Sequence, residues 1–385
     1  MPMKYLSAPL LIVTLLTVFA SCVETPKKET VKNEAPLPMD KNLKLLVGTF
    51  AEGEGQGIYQ LEFNAQTGEL TNRGHLVKEN KPGYLALSKD GERVYASNGT
   101  APGSISTFTW NVGKDKLQRT QNVPSEGNGA CYIALSPEED LIAAANYGSG
   151  GIVLYHLDKN GRITEVPQAR QHQGSGPHKN QKSAHAHCVE FSDDGAFLYA
   201  VDLGIDKVLA YPIGEGGKLE KEHTAMDLDP GDGPRHLIFQ PGKNRAFVIN
   251  ELGSSVVSAE VDPQTGTFTK IDKKSTLPED YQGPNACADI HLSRDGKFLY
   301  ASNRGHNSIA VFEVSGKGRL HLLATEPVQG DWPRNFVLSP DDRYLLVANR
   351  KSDNISVFSR NGETGLLTFT GHQIGVPQPA CLKFR

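Results

Sequence analysis

Residues that could activate water and bind an anion recur at two fixed positions of an internal repeat. One carboxylate and one imidazole, Glu251 and His187, occupy these positions. Arg235, Arg304 and Arg334 occupy them in the same or neighbouring repeats. A carboxylate or imidazole can act as a general acid or base, and guanidinium groups bind carboxylate and phosphate. The combination predicts a site for an anionic ligand with one acid–base group.

The repeat that carries these residues is marked by a Leu or Phe anchor followed by a turn of the type Ser-x-Asp-Gly or a variant of it. Six anchors stand at intervals of 48, 56, 48, 53 and 46 residues: Leu87, Leu135, Phe191, Phe239, Leu292 and Leu338. Intervals near 50 residues are typical of β-propeller blades. Eleven residues after each anchor, an Asn or Asp ends a strand: Asn98, Asn146, Asp202, Asn250, Asn303 and Asn349. Two further strands follow, so we predict a four-stranded antiparallel meander in each repeat.

The two ends of the repeat region each supply an incomplete blade. The segment 45–49 reads as a second strand without a first, and the segment 379–384 reads as a first strand without a second. We predict that the C-terminal strand completes the first blade, which closes the ring and protects both edges. Residues 43–385 are therefore predicted to form one all-β, seven-bladed β-propeller.

The repeat also predicts which face of the propeller carries the polar residues. The inner strand of a blade lines the channel and pairs with the second strand, so the beginning of the first and the end of the second share a face. Four residues before the anchors stand Gly83, Cys131, His187, Arg235, Ala288 and Arg334. Twelve residues after them stand Gly99, Tyr147, Leu203, Glu251, Arg304 and Arg350. Both sets open on one channel mouth, whereas the Ser-x-Asp-Gly turns form a structural face.

Structural roles for the same residues remain open at this point. Arg235 and Arg334 each follow a proline and could bridge neighbouring blades, and Glu251 could pair with an adjacent arginine. The strand-ending Asn residues are expected to bond local backbone as Asx turns do. His185 and His187 stand at i and i+2 on a strand and should point to opposite sides, so no zinc site is expected. Cys131, Cys188, Cys287 and Cys381 are expected to be buried without disulfides.

Bulk composition and the N-terminus limit the partners and the location. The net charge of −4 gives no electrostatic footprint for nucleic acid. Residues 1–21 read as a signal peptide, and the segment 19–22 (Phe-Ala-Ser-Cys) resembles a lipobox that implies lipid attachment at Cys22. A plain secretory signal is the alternative. Residues 22–42 read as a disordered tether. We expect a monomer that meets the membrane only through this anchor, on the periplasm-facing side.

Several runs of residues resemble the propeller lactonase family, which includes bacterial 6-phosphogluconolactonases of the propeller type and fungal muconate-lactonizing enzymes. They are the segments 184–187 (Ala-His-Ala-His), 201–208, 233–236 (Gly-Pro-Arg-His), 250–256, 288–292, 302–304 and 333–336. The resemblance covers essentially the whole chain after the tether. It implies hydrolysis of a sugar lactone without a metal or other cofactor. The segment 178–181 departs from the family, which has an arginine near this point, so an anion contact there is weakened.

The resemblance also assigns roles to residues. His187, Arg235, Glu251 and Arg304 would be the active-site residues, with Glu251 or His187 as general base and the arginines as clamps for an anion or oxyanion. Further substrate-binding candidates are Arg334, His291, Asp202 and His236. Two alternatives stay open: a lactonase for an unphosphorylated lactone, and a non-catalytic propeller that binds glycan or protein.

Overall fold

The strands of this chain follow one another as short, buried, β-branched-rich segments separated by tight turns. The structure, a computed structural model, describes residues 1–3, 41–164 and 166–385. Cys22 and nearly all of the predicted signal peptide and tether lie outside the described residues. Within the part that is described, no helix is long and apolar enough to cross a membrane.

Twenty-nine strands make up seven sheets in the described residues. Blade 1 contains β1 (Asn42–Thr49), β2 (Ile58–Asn64), β3 (Leu70–Val77) and the last strand, β29 (Pro379–Phe384). Blades 2 and 3 contain β4 (Pro82–Leu87), β5 (Arg93–Asn98), β6 (Ser104–Trp110), β7 (Leu117–Pro124), β8 (Ala130–Leu135), β9 (Leu141–Asn146), β10 (Gly151–His156) and β11 (Gln168–Gln171). Blade 4 contains β12 (Ala186–Phe191), β13 (Phe197–Asp202), β14 (Lys207–Gly214), β15 (Lys218–Leu219) and β16 (His223–Asp227).

The remaining three blades repeat the same meander. They contain β17 (Pro234–Phe239), β18 (Arg245–Asn250), β19 (Ser255–Val261), β20 (Phe268–Ser275), β21 (Ala286–Leu292), β22 (Phe298–Arg304), β23 (Ser308–Val314), β24 (Leu320–Pro327), β25 (Pro333–Leu338), β26 (Tyr344–Asn349), β27 (Asn354–Arg360) and β28 (Leu367–Gly375). Two short 3₁₀ segments, Gly53–Gly55 and Glu215–Gly217, lie in connections. Blade 4 departs slightly, because the two-residue β15 pairs with the end of β14 before β16 pairs with the rest of it.

The ring closes as predicted. Strand β29 pairs antiparallel with β1, with Val47 opposite Leu382 and Gly48 opposite Cys381. The C-terminal segment therefore supplies the inner strand of blade 1, and neither end of the ring leaves an inner edge unpaired. These findings confirm the predicted seven-bladed, all-β architecture and its closure by the C-terminus.

Each inner strand contains a β-bulge near its start, and this bulge carries the residue four positions before the anchor. In blade 5, Pro234 pairs with Asn250 and His236 pairs with Ile249, so Arg235 is the extra residue. The same break falls at Gly83, Cys131, His187 and Arg334 in blades 2, 3, 4 and 7. In blade 6 the bulge holds Ala288 and Asp289 against Ser302. Bulges re-aim side chains, so these residues leave the regular alternation of the strand.

The opposite face carries the turns, and they are bonded alike from blade to blade. Ser192 donates its hydroxyl to Asp194 at 2.6 Å and accepts from the backbone of Phe197 at 3.0 Å. The same serine-to-aspartate bond recurs at Ser88, Ser136, Ser293 and Ser339. These hydroxyls fix the turn that joins the first two strands of each blade.

The strand-ending Asn residues do not behave as predicted. Asn250 donates to Ser255 on the third strand and to Asp232 in the incoming loop. Asn303 donates to Ser308 and to the carbonyl of Thr276 in the same way. They tie the second strand to neighbouring segments instead of forming local Asx turns. Asp202 alone of the six caps nearby backbone, with Oδ1 accepting from Gly204 N at 2.8 Å.

The core lies between the blades and is filled mainly by the second and third strands. Tyr95 and Tyr300 cross from one blade to the next, where their hydroxyls donate to turn carbonyls at 2.7 and 2.8 Å. Cys131, Cys188, Cys287 and Cys381 are buried and free, which confirms the expectation of no disulfides among them.

Candidate functional site

A polar pocket of about 290 Å³ opens at the channel mouth where the bulges and the ends of the second strands meet. Four of the sequence-predicted residues line it, namely His187, Glu251, Arg304 and Arg334. It is completed by Phe50, Gly99, Gly129, Ala130, Cys131 and Tyr147. This volume lies near the lower end of the range for pockets that bind small molecules, so the pocket suits a small metabolite.

Glu251 is held at the pocket wall by two arginines from blades 5 and 6. Its Oε2 lies 3.0 Å from Nε of Arg235 and 2.7 Å from Nη2 of Arg304. The N–H of Arg235 Nε does not point at this oxygen, so that contact is ionic without hydrogen-bond geometry. Both pairs engage Oε2, and no hydrogen bond or ion pair with a described residue engages Oε1. The Glu251 side chain lines the pocket and remains 17% exposed.

Two opposing effects set the protonation state of Glu251. Burial alone would raise the pKa of its carboxyl, but the charges of Arg304 and Arg235 outweigh burial and hold the pKa below its usual value. Glu251 is therefore a carboxylate at neutral pH. It pairs with the arginines, and as a carboxylate it can also accept a proton. The structural role and the acid–base role considered for Glu251 are therefore compatible.

Arg334 adds a further cationic group to the pocket, and no described residue neutralises its charge. No carboxylate lies within ion-pair distance of it in the described part of the chain. Its guanidinium instead lies 4.7 Å from the centre of the Phe50 ring, and Arg350 lies 5.0 Å from the same ring. Burial and the neighbouring Arg235, Arg304 and Arg350 all lower the pKa of Arg334. Arg235, Arg304 and Arg334 thus act on one carboxylate, with Arg350 beside them, and this excess of positive charge favours an anionic ligand.

His187 lies in the bulge of blade 4 with its ring in the pocket wall. Burial, followed by the charge of Arg235, lowers its pKa well below the usual value, so the imidazole is neutral. Its Nδ1 lies 3.8 Å from Sγ of Cys131. Burial raises the pKa of that thiol to about 11, so Cys131 is also neutral.

The predicted opposite orientation of His185 and His187 is wrong, because residues two positions apart on a regular strand face the same side. His185 precedes β12, and His187 is the extra residue between Ala186 and Cys188. Both rings contact Tyr147, His185 stacked at 4.6 Å and His187 edge-on at 5.3 Å. Within the described residues no group of three or more His, Cys, Asp or Glu could hold a metal ion.

The other predicted residues lie outside the pocket lining. Arg235 stands behind Glu251 and also donates to Ala288 O of the next blade at 2.5 Å, so it bridges blades as well. His236 contacts the guanidinium of Arg235, and His291 contacts the carboxylate of Asp289. Asp202 is fully buried and bonds His172 and the backbone of His185.

Six pocket residues were not among the predicted site residues, and three of them, Phe50, Cys131 and Tyr147, present an aromatic ring or a thiol. Cys131 and Tyr147 occupy the same repeat positions as Arg235 and Glu251, so the spacing already marked them, although their side chains suggested no chemistry. Phe50 follows Thr49, which pairs with Pro379 as Asn98 pairs with Pro82. Extending the repeat to blade 1 would have identified Phe50 as the equivalent of Glu251.

Comparison with known proteins agrees with this fold. The sequence model of the family described as "Lactonase, 7-bladed beta-propeller" matches residues 44–384. The 6-phosphogluconolactonase of Bacillus subtilis (strain 168) is 32% identical over 340 residues, which cover 88% of this chain and 97% of that protein. A protein of unstated activity from Lactobacillus plantarum has a crystal structure with 33% identity and a TM-score of 0.83, covering 89% of this chain and 99% of that one.

A further solved structure is similar to the same extent. The periplasmic gluconolactonase of Pseudomonas aeruginosa is 30% identical, with a TM-score of 0.83, and the match covers 89% of this chain and 99% of that one. Fold, mouth and matches together define a hydrolase of carboxylic esters built on a propeller. The chain belongs to the lactonase family of seven-bladed β-propellers, which confirms the predicted family and enzyme class.

Proposed function

We propose that the pocket hydrolyses a sugar lactone by direct attack of water on the ring carbonyl, with 6-phosphogluconolactone or a related aldonolactone as substrate. The observation that carries this proposal is the Glu251 carboxylate in the pocket wall, whose Oε2 is paired with two arginines while Oε1 has no partner among the described residues. Hydrolysis of an ester by water requires a base that accepts the proton of water and a donor that stabilises the oxyanion. An oriented carboxylate beside guanidinium groups can supply both.

The roles follow from the protonation states. Glu251 accepts a proton from water as the oxygen attacks the lactone carbonyl, and Arg304 in the pocket wall stabilises the oxyanion of the tetrahedral intermediate. Arg235 acts through Glu251, whose carboxylate it pairs with from outside the pocket lining. Collapse of the intermediate breaks the bond to the ring oxygen, which takes the proton back from Glu251 and becomes a hydroxyl. Water is consumed and an open-chain aldonic acid is formed. His187, neutral in the wall, is the alternative base.

Arg334 and Arg350 supply the preference for a negatively charged substrate. Arg334 lines the pocket and Arg350 lies against the same Phe50 ring, and neither has a carboxylate partner among the described residues. A phosphate or carboxylate of the ligand could therefore occupy the space beside Phe50. The Bacillus relative bears the name of a phosphorylated substrate and the Pseudomonas relative that of an unphosphorylated one. The unpaired arginines favour the first.

The deciding experiment measures proton release by the purified protein on 6-phosphogluconolactone and on gluconolactone, corrected for spontaneous opening. We expect turnover of both and a higher kcat/KM for the phosphorylated ring. If no aldonolactone is hydrolysed faster than in buffer, the proposed function is wrong. If only the unphosphorylated ring is hydrolysed, the anion assignment to Arg334 is wrong and lactone hydrolysis stands.

We also propose that Cys22 is lipidated after removal of residues 1–21, with residues 22–42 as a tether that places the propeller on the periplasmic side of a membrane. The support is the sequence pattern of the segment 19–22. Expression of the full chain and of Cys22→Ala, followed by detergent phase partitioning, tests it. We expect only the unaltered chain to enter the detergent phase. Equal partitioning of both would contradict lipid attachment.

A further inference from the structure

Behind the pocket, the bulge of blade 6 places a buried aspartate in the channel. Asp289 is 1% exposed, and its two oxygens have different partners. Oδ2 accepts from Asn335 Nδ2 at 2.5 Å and Phe336 N at 3.2 Å, and His291 Nε2 lies 3.1 Å away. Oδ1 lies 2.8 Å from Nδ1 of His236.

The contacts of His236 determine which of its ring nitrogens carries the proton. Nε2 of His236 lies 2.9 Å from Nη1 of Arg235, and a guanidinium can only donate. Nε2 must therefore accept, so the proton sits on Nδ1 and is donated to Asp289. Burial, then the charge of Arg235, lowers the pKa of His236 to about 3, so the ring stays neutral at working pH.

Both hydrogens of Arg235 Nη1 are thereby fixed. One is donated to His236 Nε2 and the other to the carbonyl of Ala288 at 2.5 Å. The plane of the guanidinium is then set, with Nε beside Glu251 and Nη2 bonded to no described acceptor. A side chain with this many rotatable bonds would otherwise have several orientations in the channel.

From this geometry we propose that Asp289 and His236 form a positioning pair that holds Arg235 in the orientation needed to pair with Glu251. Asp289 acts through His236, and neither residue touches the substrate. This assignment rests on the proposed lactone hydrolysis for its kinetic consequence, but the structural consequence, the pKa of Glu251, is independent of any substrate.

The nearly isosteric variant Asp289→Asn tests the pair. Asn335, Phe336 and His291 keep the amide oxygen on their side, so the amide NH₂ faces His236 Nδ1. His236 must then accept at Nδ1 and carry its proton on Nε2, which opposes the N–H of Arg235. We expect the histidine tautomer to switch in nitrogen NMR spectra and the Glu251 pKa, read from carboxyl-carbon NMR, to rise toward its ordinary value. With lactone substrate, kcat should fall about 10- to 100-fold, with a smaller change in KM.

A second pair of variants separates positioning from folding. The side-chain carbonyl of His236→Gln can accept from Arg235 without help from Asp289 and should retain most of kcat, whereas His236→Leu cannot and should match Asp289→Asn. Asp295→Asn, on the turn face of the same blade, serves as the matched carboxylate control and should change nothing. Folded Asp289→Asn with an unchanged tautomer, Glu251 pKa and kcat would overturn the proposal. If the wild type hydrolyses no lactone, the proposed function fails, while the NMR measurements still decide on the pair.

Discussion

Oε2 of Glu251 and Nη2 of Arg304 lie 2.7 Å apart, although Glu251 directly follows the second strand of blade 5 and Arg304 ends the second strand of blade 6. The backbone reinforces this contact, because the amide of Cys287, in the blade of Arg304, donates to the carbonyl of Glu251 at 3.1 Å. The Glu251 carboxylate is therefore positioned by the packing of one blade on the next. A change in the packing of blade 5 on blade 6 would therefore change the distance between Glu251 and Arg304.

Replacing Glu251 by Gln tests the proposed base. The amide cannot accept a proton from water, and we expect kcat for lactone hydrolysis to fall by about 10²- to 10⁴-fold, the usual contribution of a general base. Proton release at saturating substrate measures it. Glu260→Gln, an exposed carboxylate on the following strand, is the control and should retain full activity. A Glu251→Gln enzyme within threefold of wild type would transfer the role to His187, and His187→Gln would then show the loss.

Replacing Arg334 by Met tests the anion site. A charge-assisted hydrogen bond contributes about 1.5–3 kcal/mol, so KM for a phosphorylated lactone should rise about 10- to 100-fold. KM for the unphosphorylated lactone should stay nearly constant, because that ring offers no charge to Arg334. Arg319→Met on the exposed surface provides the comparison. An equal rise in KM for both substrates would mean that Arg334 supports the pocket wall and does not read charge.

The buried neutral histidines predict a loss of stability in mild acid. The pKa of His236 is lowered from 6.5 to about 3 in the folded protein, first by burial and then by Arg235. The unfolded chain therefore binds this proton first, and stability present above pH 6.5 is lost as the pH falls toward 3. Each unit corresponds to about 1.4 kcal/mol, so the free energy of unfolding should drop by a few kcal/mol between pH 7 and 4. His187 contributes in the same direction.

Urea unfolding at several pH values measures this effect. In His236→Gln the decline should become shallower by up to one proton's slope, whereas His321→Gln, at an exposed position, should leave the slope unchanged. An identical pH dependence in His236→Gln and wild type would show that other groups govern acid sensitivity.

Closure of the ring by β29 predicts that a small C-terminal change destabilises the whole propeller. Leu382 is 1% exposed, and its amide donates to Asn335 Oδ1 at 2.7 Å. We expect Leu382→Ala to lower the free energy of unfolding by about 2–5 kcal/mol, the range for a buried Leu. Leu366→Ala, at a side chain that is 40% exposed, should cost far less. Similar melting temperatures for the two variants would contradict a closing role for β29.

Much of the fold could be predicted because the same sequence pattern recurs six times along the chain. The anchors, turns and strand ends recur at constant offsets, and alternation of side chains along a strand then assigns a face to each position. Those offsets placed His187, Glu251, Arg304 and Arg334 at one mouth. The unmatched strands at the two termini predicted closure of blade 1, because an open ring would leave two edges exposed.

The blade count, the closing strand and the polar mouth could be predicted from the sequence, because they follow from local periodicity. The directions of individual side chains and their partners in neighbouring blades could not, because they depend on where bulges fall and which blades touch. The bulges turn Arg235 and Asp289 out of the strand pattern. Packing between blades makes Oε2 of Glu251 the shared partner of two arginines and leaves Oε1 without a partner among the described residues. No offset along the chain encodes that difference between two oxygens.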